Sequence, residues 1–145
     1  FSLSILAEYA YRSGVELLLE CLLPSTSNII NDCYGIAAML KEVNSPALKG
    51  MVDFCQMAAA GYGIEDYIWV LGEHLRHVHF VDGTPTGHLG LGEGNLPLYE
   101  YAQKLIALGY NGYCSMEFCD KKYYIKPDKV IKTSMEWLRN HKLTV

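Results

Sequence analysis

Four short apolar runs, each closing on a polar residue of ligand type, alternate along the chain with longer segments of helical period. Leu3, Leu6, Ala7 and Ala10 share one face of a first helix that Gly14 stops, and 15–20 reads as a strand. The polar stretch 24–28 leads to a helix over 33–43, closed by Asn44-Ser45-Pro46, and to a second strand over 48–53. A third helix over 64–75 puts Tyr67, Ile68 and Leu71 at i, i+1 and i+4, and a third strand covers 76–82. After a long Gly-rich loop, a helix over 98–108 ends at Gly109, a fourth strand spans 112–118, and a last helix runs from about 128 to 140.

The pattern is that of repeated βα units on a parallel sheet, an α/β fold. Near-continuous apolar strands are buried on both faces, as parallel strands covered by helices are. A doubly wound sheet and a (β/α) barrel both satisfy this. A closed eight-unit barrel takes roughly 250 residues, so four units make half a barrel or a small open sheet. With no linker or low-complexity tract, residues 1–145 are expected to be one domain.

Composition narrows the partners. A net charge of −4 without any Lys/Arg cluster argues against nucleic acid and anionic membranes, and favours a small, weakly charged ligand. The five cysteines are odd in number, include no C-x-x-C pair and sit in apolar runs, which predicts reduced thiols in a cytoplasmic protein. No apolar run approaches the roughly 20 residues that cross a bilayer, and the first residues lack a signal-peptide pattern. A first residue of Phe places the true start upstream or has it removed.

In parallel α/β folds the loops after the strands converge on one rim, where chemistry gathers. Each predicted strand carries a cation-ligating residue at that end: Glu20, Asp53, His79 and Glu117, each about one βα unit from the next. Strand alternation puts His77 with His79, and Ser115 with Glu117, on one face, while Val78, Phe80, Met116 and Phe118 point to the covering helices. Three carboxylates and one imidazole suit Mn²⁺ first, then Mg²⁺ or Co²⁺, and Zn²⁺ less. Taken singly, each residue has a plainer reading: Asp53 as a helix cap, His79 as a core imidazole, Glu20 and Glu117 as solvated strand ends. His77 is expected to be structural, and Cys55 and Cys119 to be buried thiols.

The stretch Gly50-Met51-Val52-Asp53, the run from Leu75 to Asp82 ending His77-Val78-His79-Phe80-Val81-Asp82, the Gly92-Glu93-Gly94 turn, and Gly109 to Tyr113 leading to Met116-Glu117 together resemble the xylose-isomerase-like barrel superfamily. Within it the likeness is to the fructoselysine 3-epimerase branch, with ketose 3-epimerases of the tagatose and psicose type next. It covers the whole chain but only strands five to eight, so the resemblance implies the C-terminal half of a (β/α)8 TIM barrel.

The resemblance further implies a divalent metal held by Glu20, Asp53, His79 and Glu117, with Glu20 and Glu117 as the acid/base pair of a sugar epimerase or isomerase. A ketose C3–H is a poor acid, which a cation bound at the neighbouring carbonyl would remedy. Two departures stand out. Gln56 occupies the place of a substrate-contacting His of the tagatose-type enzymes, and Pro85 that of an Arg. Gln56 and His88 are therefore expected to face substrate, and Asp82 to orient loop or substrate or to cap the chain. The loop 83–94 is expected to act as a lid. Open sheet edges would call for the N-terminal half or a second copy. A non-catalytic relative that binds a sugar or protein, and a metal-dependent endonuclease, are the alternatives.

Overall fold

The computed structural model describes residues 1–143. Its elements run α1 (Ser2–Arg12), β1 (Leu17–Leu19), α2 (Cys33–Val43), β2 (Leu48–Asp53), α3 (Phe54–Ala59), α4 (Ile64–Leu71), β3 (Leu75–His79), α5 (Leu98–Ala107), β4 (Tyr113–Ser115) and α6 (Pro127–Asn140). The strands form one parallel sheet in the order β1-β2-β3-β4, half of a TIM barrel. Sequential strands are spatial neighbours because each is joined to the next by helices on one face of the sheet.

Local chemistry explains most boundaries. Asp32 caps α2 by accepting the Gly35 N–H at 2.8 Å, and Asn44 ends it in the left-handed conformation at φ 50°. The helix expected over 64–75 stops at Leu71. Gly72, at φ 52°, turns the chain into a single 3₁₀ turn before β3. The short helix α3 was not evident from periodicity; it exists because Asp53 caps it, accepting the Gln56 N–H at 2.9 Å. The outer strands are shorter than the runs 15–20 and 112–118. Each pairs on one side only, with three residues in register: Leu17–Leu19 against Leu48–Gly50, and Tyr113–Ser115 against His77–His79.

The core lies between the sheet and the helices, built on Ile36, Val52, Phe54, Ile64, Tyr67, Leu71, Val78 and Phe80. Gly50, in β2, sets the depth of this layer. A Cβ there would lie 2.9 Å from Ile36 Cγ2 and 3.0 Å from a Leu71 methyl, so glycine lets α2 and α4 settle onto the strand. The opposite, axis-facing side carries Glu20, Asp53, His77, His79, Ser115 and Glu117 by strand alternation. It also leaves Leu18 and Tyr113 exposed, the latter at 84%. Among the described residues no helix is long and apolar enough to cross a membrane.

Candidate metal centre

The four predicted ligands meet at the C-terminal end of the sheet. Asp53 ends the central strand β2 and pairs in register with His79, the last residue of β3. Glu20 follows the outer strand β1, and Glu117 lies just past the outer strand β4. One ligand atom from each of the four falls within 4.8 Å of the others. His79 Nδ1 lies 3.3 Å from Glu20 Oε1, 3.4 Å from Asp53 Oδ2 and 3.3 Å from Glu117 Oε2.

These contacts lack hydrogen-bond geometry. His79 Nδ1 and Asp53 Oδ2 are buried and have no hydrogen-bond partner. An orphaned buried polar atom is costly, and here two of them share one small space with the carboxylates of Glu20 and Glu117. A divalent cation bound there would satisfy every one of these atoms, and the oxygen-rich donor set fits a hard or borderline ion. The residues present therefore fit a metal.

Asp53 serves two purposes at once, since Oδ1 caps α3 while Oδ2 faces the cluster. The helix-cap and ligand readings of Asp53 are thus compatible. Burial pushes its carboxyl up, but His79, His88 and the Gln56 N–H outweigh burial and hold it at about 2. Asp53 and Glu20 in turn push the His79 imidazole up to about 10 against the effect of burial. The cluster demands positive charge, which a proton on His79 supplies in part and a divalent cation more fully.

His88 enters from the Gly-rich loop. Its Nε2 lies 3.2 Å from Asp53 Oδ2 and 3.4 Å from Glu117 Oε2, and Asp53 foremost raises its basicity. Gln56 is half-buried, and its Oε1 accepts the Leu23 N–H at 3.3 Å, tying the loop after β1 to the site. His77 lies one step deeper, with Nε2 2.8 Å from Ser115 Oγ. Burial, and then the charge of His79, lower its basicity.

Two expectations are corrected. Asp82 does not face a substrate: it is 2% exposed, and four backbone N–H groups occupy its carboxylate. Oδ1 accepts from Gly83 at 2.8 Å and Leu96 at 3.1 Å, and Oδ2 from Gly92 and Gly94 at 3.0 Å each. Nor is 83–94 built as a lid. Besides Asp82, Tyr123 Oη accepts the Gly90 N–H at 2.8 Å and Ser134 Oγ the Leu91 N–H at 3.0 Å, so the loop is a fixed plug that presents His88. The length of the loop suggested a lid, whereas two of the acceptors that pin it, Tyr123 and Ser134, lie far off in sequence.

A neighbouring feature escaped sequence reasoning. Cys55 Sγ gathers with donors of Asp53 and His88 within 4.8 Å. The short spacing of Asp53 and Cys55 was visible, but the approach of His88 depends on the folded loop.

Comparison with known proteins follows the same lines. A sequence profile described as "Xylose isomerase-like TIM barrel" matches residues 1–141. The chain is 36% identical over 140 residues to fructoselysine 3-epimerase of Escherichia coli O157:H7, covering 95% of this chain and 50% of the relative. It is 30% identical over 114 residues to D-psicose 3-epimerase of Ruminiclostridium cellulolyticum, covering 77% and 37%. Among solved structures, 3-keto-D-glucoside 4-epimerase from E. coli superposes with a TM-score of 0.80 at 23% identity, over 96% of this chain and 51% of that one. D-psicose 3-epimerase with D-tagatose from Clostridium cellulolyticum H10 gives 0.79 at 22%, over 98% and 53%. The structural likenesses show the fold. The chain spans about half the length of fructoselysine 3-epimerase and of the two solved structures, and its match covers 37% of D-psicose 3-epimerase of Ruminiclostridium cellulolyticum.

Proposed function

The chain belongs to the xylose isomerase-like TIM barrel family, and from that premise we propose that it carries the metal site and the acid/base pair of a sugar epimerase or isomerase. The substrate would be a ketose or sugar-amine, and the reaction a proton transfer next to its carbonyl, at C3. The 3-epimerase activities of the relatives at 36% and 30% identity support this class.

The observation that carries the reading is the meeting of His79 Nδ1 with Glu20, Asp53 and Glu117, with two buried atoms left unpartnered. Glu20, Asp53, His79 and Glu117 would hold a divalent cation, Mn²⁺ before Mg²⁺, Co²⁺ or Zn²⁺. Such an ion supplies Lewis acidity at a substrate carbonyl.

The remaining work falls to the protein. Epimerisation needs a base on one face of the reacting carbon and an acid on the other. Glu20 and Glu117 stand after β1 and β4, the two outer strands, with Asp53 and His79 from the central strands between them. They therefore approach the centre from opposite sides, one to remove the C3 proton and the other to return one. His88 and Gln56 border the centre and would fix substrate hydroxyls.

Residues 1–145 are read as the second half of the barrel. Four further strands, from the first half or from a second copy, would pair with the free edges of β1 and β4 and cover Leu18 and Tyr113. Metal content of the purified chain, followed by solvent deuterium exchange into C3 of ketoses and fructoselysine with Mn²⁺, tests the reading. The expected result is about one metal per chain and exchange that Glu117→Gln abolishes. A folded chain that binds no metal would sink the four-ligand site.

A further inference from the structure

The proposed proton transfer makes no use of a thiol, yet Cys55 is fully buried beside the centre. Its Sγ donates to the Asp82 carbonyl at 3.2 Å. The loop makes room for it, since a Cβ at Gly83 would lie 2.7 Å from the sulfur. His88 is held at φ 49°, a left-handed conformation that side-chain-bearing residues seldom adopt, and this turns its Nε2 to within 3.2 Å of Asp53 Oδ2. The ligand atoms of Asp53, Cys55 and His88 all lie within 4.8 Å of one another. Asp53 is 0% exposed, and its Oδ2 is aimed into this group without a hydrogen-bond partner.

We propose that Asp53, Cys55 and His88 form a second cation site, selective for a soft or borderline ion such as Zn²⁺, which shares Asp53 with the hard-cation site and competes with it. The inference goes beyond the proposed function and rests on it only for Asp53's place in the first site. Sulfur, nitrogen and carboxylate oxygen are the donor types of zinc sites with three protein ligands and one open position. Glu117 Oε2, 3.4 Å from His88 Nε2, stands next to that open position. On binding, the Cys55 S–H gives up its proton to solvent, its hydrogen bond to the Asp82 carbonyl breaks, and a metal–thiolate bond forms. Thiolate and carboxylate together then balance the dication. A second dication on the same carboxylate would meet repulsion, and both ions draw on the charge of Asp53, so the sites compete. Zinc would thus act as an inhibitor, withdrawing Asp53 from the first site and His88 from the substrate.

The test uses the full chain, with Mn²⁺ followed by electron paramagnetic resonance and Co²⁺ by the near-ultraviolet absorption of a cobalt–thiolate bond. Co²⁺ is expected to give that band, and Zn²⁺ to release bound Mn²⁺. Cys55→Ser should abolish the band and raise the Zn²⁺ needed for release by more than about tenfold, with Mn²⁺ still bound. Cys119→Ser should change neither. Cys55→Ala repeats the measurement if serine unfolds this buried position, with Mn²⁺ binding as the check on folding. A chain that binds Mn²⁺ but shows no cobalt–thiolate band, or keeps the band in Cys55→Ser, overturns the second site alone. A folded chain that binds neither ion overturns both sites.

Discussion

His79 Nδ1 lies 3.4 Å from Asp53 Oδ2, and neither of these buried atoms has a hydrogen-bond partner. The register of β2 against β3 sets the two residues side by side, so the backbone ladder fixes the spacing of the central ligand pair before any ion arrives.

A preformed site of this kind stabilises the fold when filled. At a free metal concentration roughly a hundred times Kd, binding adds about 2.7 kcal/mol to the unfolding free energy. The chain is expected to melt higher with Mn²⁺ than after chelation, and Glu117→Gln should remove most of the difference. Thermal unfolding by circular dichroism, with and without chelator, measures both. An unchanged melting temperature in the wild-type chain would contradict the site.

The pH dependence has a definite sign. In the metal-free chain His79 is raised from 6.5 to about 10, so its stabilisation is fully present below pH 6.5 and is lost as pH rises through 10. Asp53 is lowered from 3.8 to about 2, so its contribution is present above pH 3.8 and is lost as pH falls toward 2. Metal-free stability from this pair should therefore be greatest between pH 3.8 and 6.5. Metal binding must displace the His79 proton, so affinity should rise with pH up to about 10. Calorimetry at pH 8 in buffers of different ionisation enthalpy should detect about one proton released per metal bound. No buffer dependence would contradict the raised imidazole.

Much of this was legible in the sequence because parallel βα units place chemistry at strand ends, and the ends are marked by Glu20, Asp53, His79 and Glu117. The short helix after Asp53 was not, since six residues carry too little periodicity to register. Asp82 stayed open between loop and substrate for a different reason. A carboxylate beside a Gly-rich loop suits a substrate contact and a loop anchor equally well in sequence, and only the folded loop, with four N–H groups turned onto it, separates the two. The role of Cys55 was hidden likewise, because His88 reaches it across a loop whose path local patterning does not specify.

Asp82 should then act on stability more than on chemistry. Asp82→Ala would strand four backbone donors in a partly buried loop, and a single charged hydrogen bond contributes about 1.5–3 kcal/mol. A loss of at least about 3 kcal/mol is expected in urea unfolding. Faster amide exchange confined at first to 83–96 should accompany it. A neutral result would return Asp82 to the substrate-facing role.

Gly50 offers the complementary case, in which packing is disturbed far from any ligand. A methyl group at this position points into the layer beneath α2 and α4, 2.9 Å from Ile36 Cγ2 and 3.0 Å from Leu71 Cδ1. Neither neighbour has room to retreat, because Ile36 is fully buried and Leu71 nearly so. Gly50→Ala is therefore expected to cost about 1–3 kcal/mol by overpacking, more than any gain from restricting the unfolded chain. Because Asp53 lies three residues along the same strand, a rigid shift of β2 would carry the central ligand with it. Measuring Mn²⁺ affinity alongside the urea midpoint distinguishes the two responses. Lost stability with unchanged affinity means that the helices move away from the strand, whereas joint loss means that the strand itself gives way and that the ligand spacing depends on the close approach Gly50 permits.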